Sequence, residues 1–248
     1  MTDKGDYIGR TMNSFEFDNV SKGMVVVAHA DDAEWGYSGT IAKLTDHGIE
    51  MTYVICTDGS KGSDDPEMTS ERLAAIRMDE QKAACRVLGV KNVIFLGFPD
   101  SMLEPTLSLR KGIVRQIRTY TPDLVICQFP MRNLSENGYI GHPDHIAAGE
   151  ATLSAVFPTS RDRLTFPELL DEGLNPHKVT ELLLADRVRP NKWVDVSNHM
   201  ETAVKSLQQH VSQINTKDVG KHLRNSRAEI GTAIDVKYAE CYRSYIFS

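Results

Sequence analysis

Residues 24–36 constrain the fold more than any other stretch. They read Met-Val-Val-Val-Ala-His-Ala-Asp-Asp-Ala-Glu-Trp-Gly, an unbroken β-branched run that stops at a histidine, two adjacent aspartates and a glutamate. Continuous valines suit a strand covered on both faces, as in the parallel sheet of an α/β protein. Ligands of such sheets bind beyond the carboxyl ends of the strands. His29, Asp31 and Asp32 therefore stand where an α/β fold keeps its chemistry, and a partner group is expected from a second strand end.

The pattern around this run repeats. Strands are predicted over 24–28, 50–56, 93–96 and 124–127. Between them lie helices over 38–47, closed by Gly48, over 69–88, capped by Thr69 or Ser70 and ended by Gly89, and over 107–120, halted by Thr121-Pro122. This β-α-β-α-β-α-β alternation predicts an α/β fold: a Rossmann-like, mostly parallel sheet flanked by helices. A length of 248 residues suits a single domain over 23–248, preceded by a peripheral lead-in over 1–22. Later segments are read as an irregular binding loop or lid over 157–177, strands over 179–185 and 193–196, and an amphipathic helix from Ser197 or Asn198 to about 214. Residues 217–248 read as helix and coil.

Composition removes several function classes. A net charge of -6 lacks the basic footprint that nucleic-acid binding needs. No apolar run reaches transmembrane length and residues 1–22 hold no signal-peptide core, so neither membrane nor export is expected. Cys56, Cys85, Cys127 and Cys241 form no CxxC pair and read as reduced thiols of a cytoplasmic protein. Gly59-Ser60-Lys61-Gly62 lacks the spacing of a phosphate-binding loop and is read as a turn.

The partner group comes after the fourth strand. A loop over 128–141 delivers Gly141-His142-Pro143-Asp144-His145 into an Ala-rich helix over 144–155, with Pro143 in its first turn. Catalytic zinc commonly takes a close pair of ligands plus one distant residue, leaving a position for water. His29 and Asp32 form the close pair, and His142 or His145 is the distant ligand. The other of those two is free for acid–base work or for holding a substrate oxygen, and Asp31 is placed as general base. Taken alone, Asp-Asp before a helix is a cap and HxxH is chance; at the ends of two strands of one sheet they reinforce each other. His47 reads as a helix C-terminal cation and His222 as surface, while Tyr139, His177, His199 and His210 receive no role.

The combination Ala28-His29-Ala30-Asp31-Asp32 with Gly141-His142-Pro143-Asp144-His145 resembles the LmbE-like (PIG-L) family of zinc-dependent N-acetylglucosamine-type deacetylases, nearest to its bacillithiol-pathway branch. The resemblance runs from about residue 24 to about 213. It includes Gly39-Thr40-Ile41-Ala42, Arg77 to Glu80, Phe166-Pro167-Glu168-Leu169-Leu170 and His210-Val211-Ser212-Gln213. It implies one zinc ion per chain, or iron(II) or another divalent metal, held by His29, Asp32 and His145. Asp31 is then the general base, His142 the group at the oxyanion or leaving amine, oriented by Asp144, and Arg77 a substrate contact. The substrate implied is a small N-acetyl amino sugar, and the state a homo-oligomer. Ala30 stands where proline is commoner in the family. Ile140, with Tyr139 beside it, stands where some relatives carry a tyrosine.

Three rivals are open at this point. An amidase of larger glucosaminyl thiol conjugates would share every catalytic residue. A non-haem iron(II) oxygenase could use His29-x-Asp31 and a distant histidine, although such enzymes usually have all-β folds. A non-catalytic binder would not need both Asp31 and His142.

Overall fold

In the computed structural model, which describes residues 17–132, 134, 140–214 and 218–247, the β-branched run becomes the centre of the sheet. Strand β1 (Lys22–Val27) pairs in parallel with β2 (Glu50–Thr57) on one side and β4 (Leu124–Cys127) on the other. Strand β3 (Asn92–Phe98) extends the sheet beyond β2, and β5 (Glu181–Leu184) beyond β4. The order is β3-β2-β1-β4-β5-β7-β6, in which β7 (Ala239–Ile246) runs antiparallel between β5 and β6 (Lys192–Asp195). The predicted mostly parallel α/β sheet is thus present.

Helices cover both faces because the central strands alternate two apolar sets. Val25, Val27, Tyr53, Ile55, Leu124 and Ile126 pack with residues of α1 (Asp32–Asp46) and α2 (Ser70–Leu88). Met24, Val26, Val54, Val125 and Cys127 pack with α3 (Leu107–Tyr120) and α4 (Pro143–Ser154). A short helix α5 (Glu168–Asp171) follows, then α6 (Met200–Leu207) and α7 (Val219–Gly231), which share a smaller core around Leu207 and Leu223. The four cysteines are buried and free, and among the described residues no helix is long and apolar enough to cross a membrane.

Local signals explain most boundaries. Thr69 and Thr106 accept from the backbone N–H groups of Arg72 and Leu109, and Gly89 ends α2 at φ 76°, where a side chain would be strained. Three expectations need correction. Helix α1 begins at Asp32, not at 38, because Asp31 adopts φ 89° and starts the helix while its carbonyl already accepts from Trp35 N–H. The helix expected up to about 214 ends at Leu207 and starts as a 3-10 turn over Ser197–His199. The region 217–248 is not only helix and coil, since strand β7 lies within it. The lead-in over residues 1–16 falls outside the described residues, whereas Phe17 is buried in the core.

Segment 157–177 is fastened to α3 by Arg118, whose guanidinium donates to the carbonyls of Thr159, Ser160, Asp162 and Thr165. Helix α4 is seated against the end of β4 by Gly149. A Cβ there would lie 2.5 Å from the carbonyl oxygen of Gln128. Gly149→Ala is therefore expected to destabilise the protein by about 1–3 kcal/mol, read as a lower denaturation midpoint.

Candidate metal centre

Strand order reverses between β1 and β4, so residues following both strands share one crevice at the carboxyl edge of the sheet. His29 lies two residues beyond β1 and Asp32 opens α1. His142 caps α4 and His145 stands in its first turn. The two motifs, more than a hundred residues apart in sequence, meet there.

Three donor groups converge. His29 Nδ1 is 3.3 Å from His145 Nε2 and 3.4 Å from an Asp32 carboxylate oxygen, and His145 Nε2 is 3.0 Å from the other oxygen of Asp32. Nitrogen and oxygen ligands about 2.0–2.1 Å from a tetrahedral zinc ion are separated by roughly 3.3 Å, so this spacing fits one ion. His142 faces the same point, its ring centroid 4.8 Å from that of His29 and 5.2 Å from that of His145.

Behind the donors lies a second layer. His29 Nε2 is 3.0 Å from an Asp100 oxygen and 3.1 Å from an Asp144 oxygen. A proton on Nε2, held by these carboxylates, leaves the Nδ1 lone pair for a cation and fixes the ring. Asp144 also accepts from the N–H groups of Ser101 and Leu103, and Asp100 from that of Lys61. The Asp144 carboxylate thus orients His29. His142 is held differently: its Nδ1 accepts from the Asp144 backbone N–H at 3.1 Å, with the nearest Asp144 carboxylate oxygen 3.9 Å away. With Nδ1 an acceptor, the ring proton of neutral His142 sits on Nε2.

The charge balance is negative. Asp32, Asp100 and Asp144 surround His29, and Arg77 lies 3.7 Å from Asp31 and 3.6 Å from Asp100. Burial alone would lower the His29 pKa, yet hydrogen bonds with Asp100, Asp144 and Asp32 push it up to about 12. Burial opposes ionisation of Asp32, but His145 and His29 hold it well below the usual carboxylate range. Burial, then the neighbouring Asp32, raises Asp31 to about 7. For His142, burial and the charge on His29 lower the pKa, favouring the neutral ring. These carboxylates hold His29 protonated beside the Arg77 cation, and a divalent ion among His29, Asp32 and His145 would take the place of the His29 Nδ1 proton.

Asp31 holds a left-handed backbone at φ 89°, a conformation that costs a non-glycine residue about 1–3 kcal/mol. Its backbone N–H donates to Gln81 Oε1. Arg77 is buried and donates to the carbonyls of Ala30, Gly59 and Lys61, which ties the Asp31 turn to the loop after β2. A cavity of about 570 Å³ opens beside Asp32 and His145, lined also by Trp35, Gln128 and Asp186. Segment 157–177 contributes no residue to that lining.

The remaining histidines divide. His177 bonds the carbonyl of Pro122 and His199 lies 3.3 Å from Asp46, both away from the crevice. His210 is fully buried against Glu34. Tyr139 lies outside the described residues. Sequence reasoning missed Asp100, Gln81 and Glu34. For Asp100 a signal existed, its place in the loop after β3, on the same edge of the sheet.

A family model described as PIG-L, GlcNAc-PI de-N-acetylase, matches residues 24–156, which span both metal motifs. The chain belongs to the PIG-L family. Among PIG-L relatives, the diacetylchitobiose deacetylase of Thermococcus kodakarensis is 35% identical over 92% of this chain and 84% of its own length. A probable N-acetyl-alpha-D-glucosaminyl L-malate deacetylase 2 of Bacillus anthracis is 33% identical over 78% of this chain and 82% of its own. The solved N,N'-diacetylchitobiose deacetylase of Pyrococcus horikoshii superposes with a TM-score of 0.85 at 32% identity, covering 93% of this chain and 85% of that one.

Proposed function

We propose that this PIG-L chain is a metal-dependent hydrolase that removes the acetyl group from the amine of an N-acetylglucosamine-type sugar. The observation that carries the reading is the meeting of His29 Nδ1, Asp32 and His145 Nε2 within 3.0–3.4 Å of one another, directly beside Asp31. The names of the two deacetylase relatives supply the substrate class. The parallel sheet, with helices on both faces, is unlike the all-β setting of the oxygenase rival.

His29, Asp32 and His145 would hold one divalent ion per chain, zinc by its fit to two imidazoles and a carboxylate, and the ion would supply Lewis-acid activation of water and of the amide carbonyl. Asp31 stands next to the ligand Asp32 and takes the proton of the attacking water. His142 donates from Nε2 to the carbonyl oxygen as negative charge develops there, and the proton that Asp31 took from the water passes to the leaving nitrogen. Asp144 and Asp100 keep His29 in the tautomer that presents Nδ1. The products are acetate and a free amine.

Arg77 is proposed to reach the sugar from the side of Asp31 and Asp100. Arg77→Lys replaces a planar fork by a point charge that cannot serve three carbonyls and a ligand together. Its kcat/KM on an N-acetyl sugar is expected to fall roughly 10- to 100-fold, with a smaller loss on a simple N-acetyl amine lacking the sugar ring. Kinetics on the two substrates check this; equal losses would assign Arg77 to holding Asp31.

Free-amine release tests the reading as a whole. Incubation of zinc-loaded protein with N-acetylglucosamine, N,N'-diacetylchitobiose and N-acetylglucosaminyl malate is expected to liberate amine from at least one of them. Silence on all three, with metal bound, would contradict it.

A further inference from the structure

A chain of buried polar side chains runs from Glu34 on α1 to Gln81 on α2 and His210 beyond α6, and the mechanism above does not use it. His210, fully buried, lies with Nε2 3.0 Å from Glu34 Oε2. Glu34, also fully buried, accepts from Gln81 Nε2 at 3.1 Å and 3.2 Å through its two oxygens. The other end of the same Gln81 amide, Oε1, accepts the backbone N–H of Asp31. Glu80, next to Gln81 on α2, accepts from both the backbone N–H and the hydroxyl of Ser212 at 2.7 Å, which clamps the His210 segment to this helix.

We infer that Gln81, oriented by Glu34 and His210, is a positioning residue for Asp31. This rests on the proposed role of Asp31 as general base. A glutamine amide fits a site equally well in either of two flips, and its partners decide which atom points where. A carboxylate offers only acceptors, so Glu34 draws the Gln81 nitrogen and turns Oε1 toward Asp31. His210 donates into the same carboxylate and holds it in place. The Asp31 N–H, at a left-handed turn that an aspartate does not favour, is thereby fixed relative to α2. The ring of His29, two residues before Asp31 in the loop after β1, is held by Asp100 and Asp144 instead. The chain therefore acts on the base and not on the metal ligands.

The test is a double-mutant cycle in metal-loaded protein. Gln81→Met removes both ends of the amide at similar length. It is expected to lower kcat roughly 10- to 100-fold, the scale of a small misplacement of a reacting group, with KM within about twofold of wild type and metal content unchanged. In the Asp31→Asn background the same change should lower kcat by less than about twofold, because no base remains to be positioned. An equal loss in both backgrounds, or a rise in KM at constant kcat, overturns the inference. Near-wild-type activity of Asp31→Asn itself overturns instead the reading of Asp31 as base, whatever Gln81→Met does. As a check independent of Gln81→Met folding, His210→Gln keeps a donor toward Glu34 and should retain kcat within about threefold. His210→Leu removes it and should match Gln81→Met; equal behaviour of the two His210 variants counts against the chain.

Discussion

Asp31→Asn is expected to lower kcat by about two to four orders of magnitude while leaving metal content and fold intact. The side chain keeps its shape but loses the lone pair that takes the water's proton. Its neighbour Asp32, which contacts His29 and His145, is untouched. The pH profile carries the same information. Burial and Asp32 raise the Asp31 pKa to about 7, from an ordinary value of 3.8, without a cation in the site. A nearby divalent ion favours the carboxylate, so the acid limb of kcat/KM is expected below pH 7 and should vanish in Asp31→Asn. The stability consequence runs the other way. A raised folded-state pKa favours the fold at low pH, and that contribution is lost as pH rises through about 7 in the metal-free protein. Thermal melts of the metal-free protein between pH 4 and 8 should fall more steeply with pH in wild type than in Asp31→Asn, where only the contribution of the raised His29 remains. Loss of metal in Asp31→Asn, with retention in Asp32→Asn, would exchange the roles of the two aspartates.

His29→Ala is expected to lose most of the bound metal and with it the activity. The change removes the Nδ1 donor and leaves Asp32, Asp100 and Asp144 facing one another without the imidazole between them. A ligand present at a hundred times its dissociation constant stabilises a fold by about 2.7 kcal/mol, which for a chain of this size is roughly 5–10 °C in Tm. Zinc should raise the wild-type Tm by that amount and the variant's hardly at all. Elemental analysis gives the same answer directly, and full metal retention in His29→Ala would remove His29 from the ligand set.

The parts of this site that could be read in sequence are those where a strand end and a chemically loud motif coincide. The valine run fixed β1 because only a strand covered on both faces tolerates it, and His29, Asp31 and Asp32 followed from its end. Gly141 to His145 was legible because Pro143 and the alanines behind it mark a helix start after an apolar strand. Their meeting followed from β1 and β4 being neighbours at the point where strand order reverses. Asp100 had only its place in the loop after β3 to mark it, because it serves the centre through His29 and belongs to no spaced motif. Glu34, Gln81 and His210 were hidden for a different reason: one polar residue on a largely apolar helix face has no periodic signature, and the three come from three separate segments. The start of α1 was misplaced because an acidic run looks like a loop, although carboxylates in a first helical turn are favoured by the backbone dipole. Strand β7 went unread because its pattern, Ala-Glu-Cys-Tyr-Arg-Ser-Tyr-Ile, mixes buried polar and exposed apolar residues. Glu240 in it is buried because Arg227, the Tyr242 hydroxyl and the N–H groups of Gly39 and Thr40 meet it.

The most direct measurement is acetate release during metal titration. Protein stripped by chelator is given zinc in sub-stoichiometric steps, with an N-acetylglucosamine-type substrate present, and acetate and free amine are followed together. Activity is expected to rise linearly and to stop at one ion per chain, with acetate and amine formed in equal amounts. Undiminished activity in the stripped protein, or amine release that ignores added metal, would contradict a metal centre built from His29, Asp32 and His145.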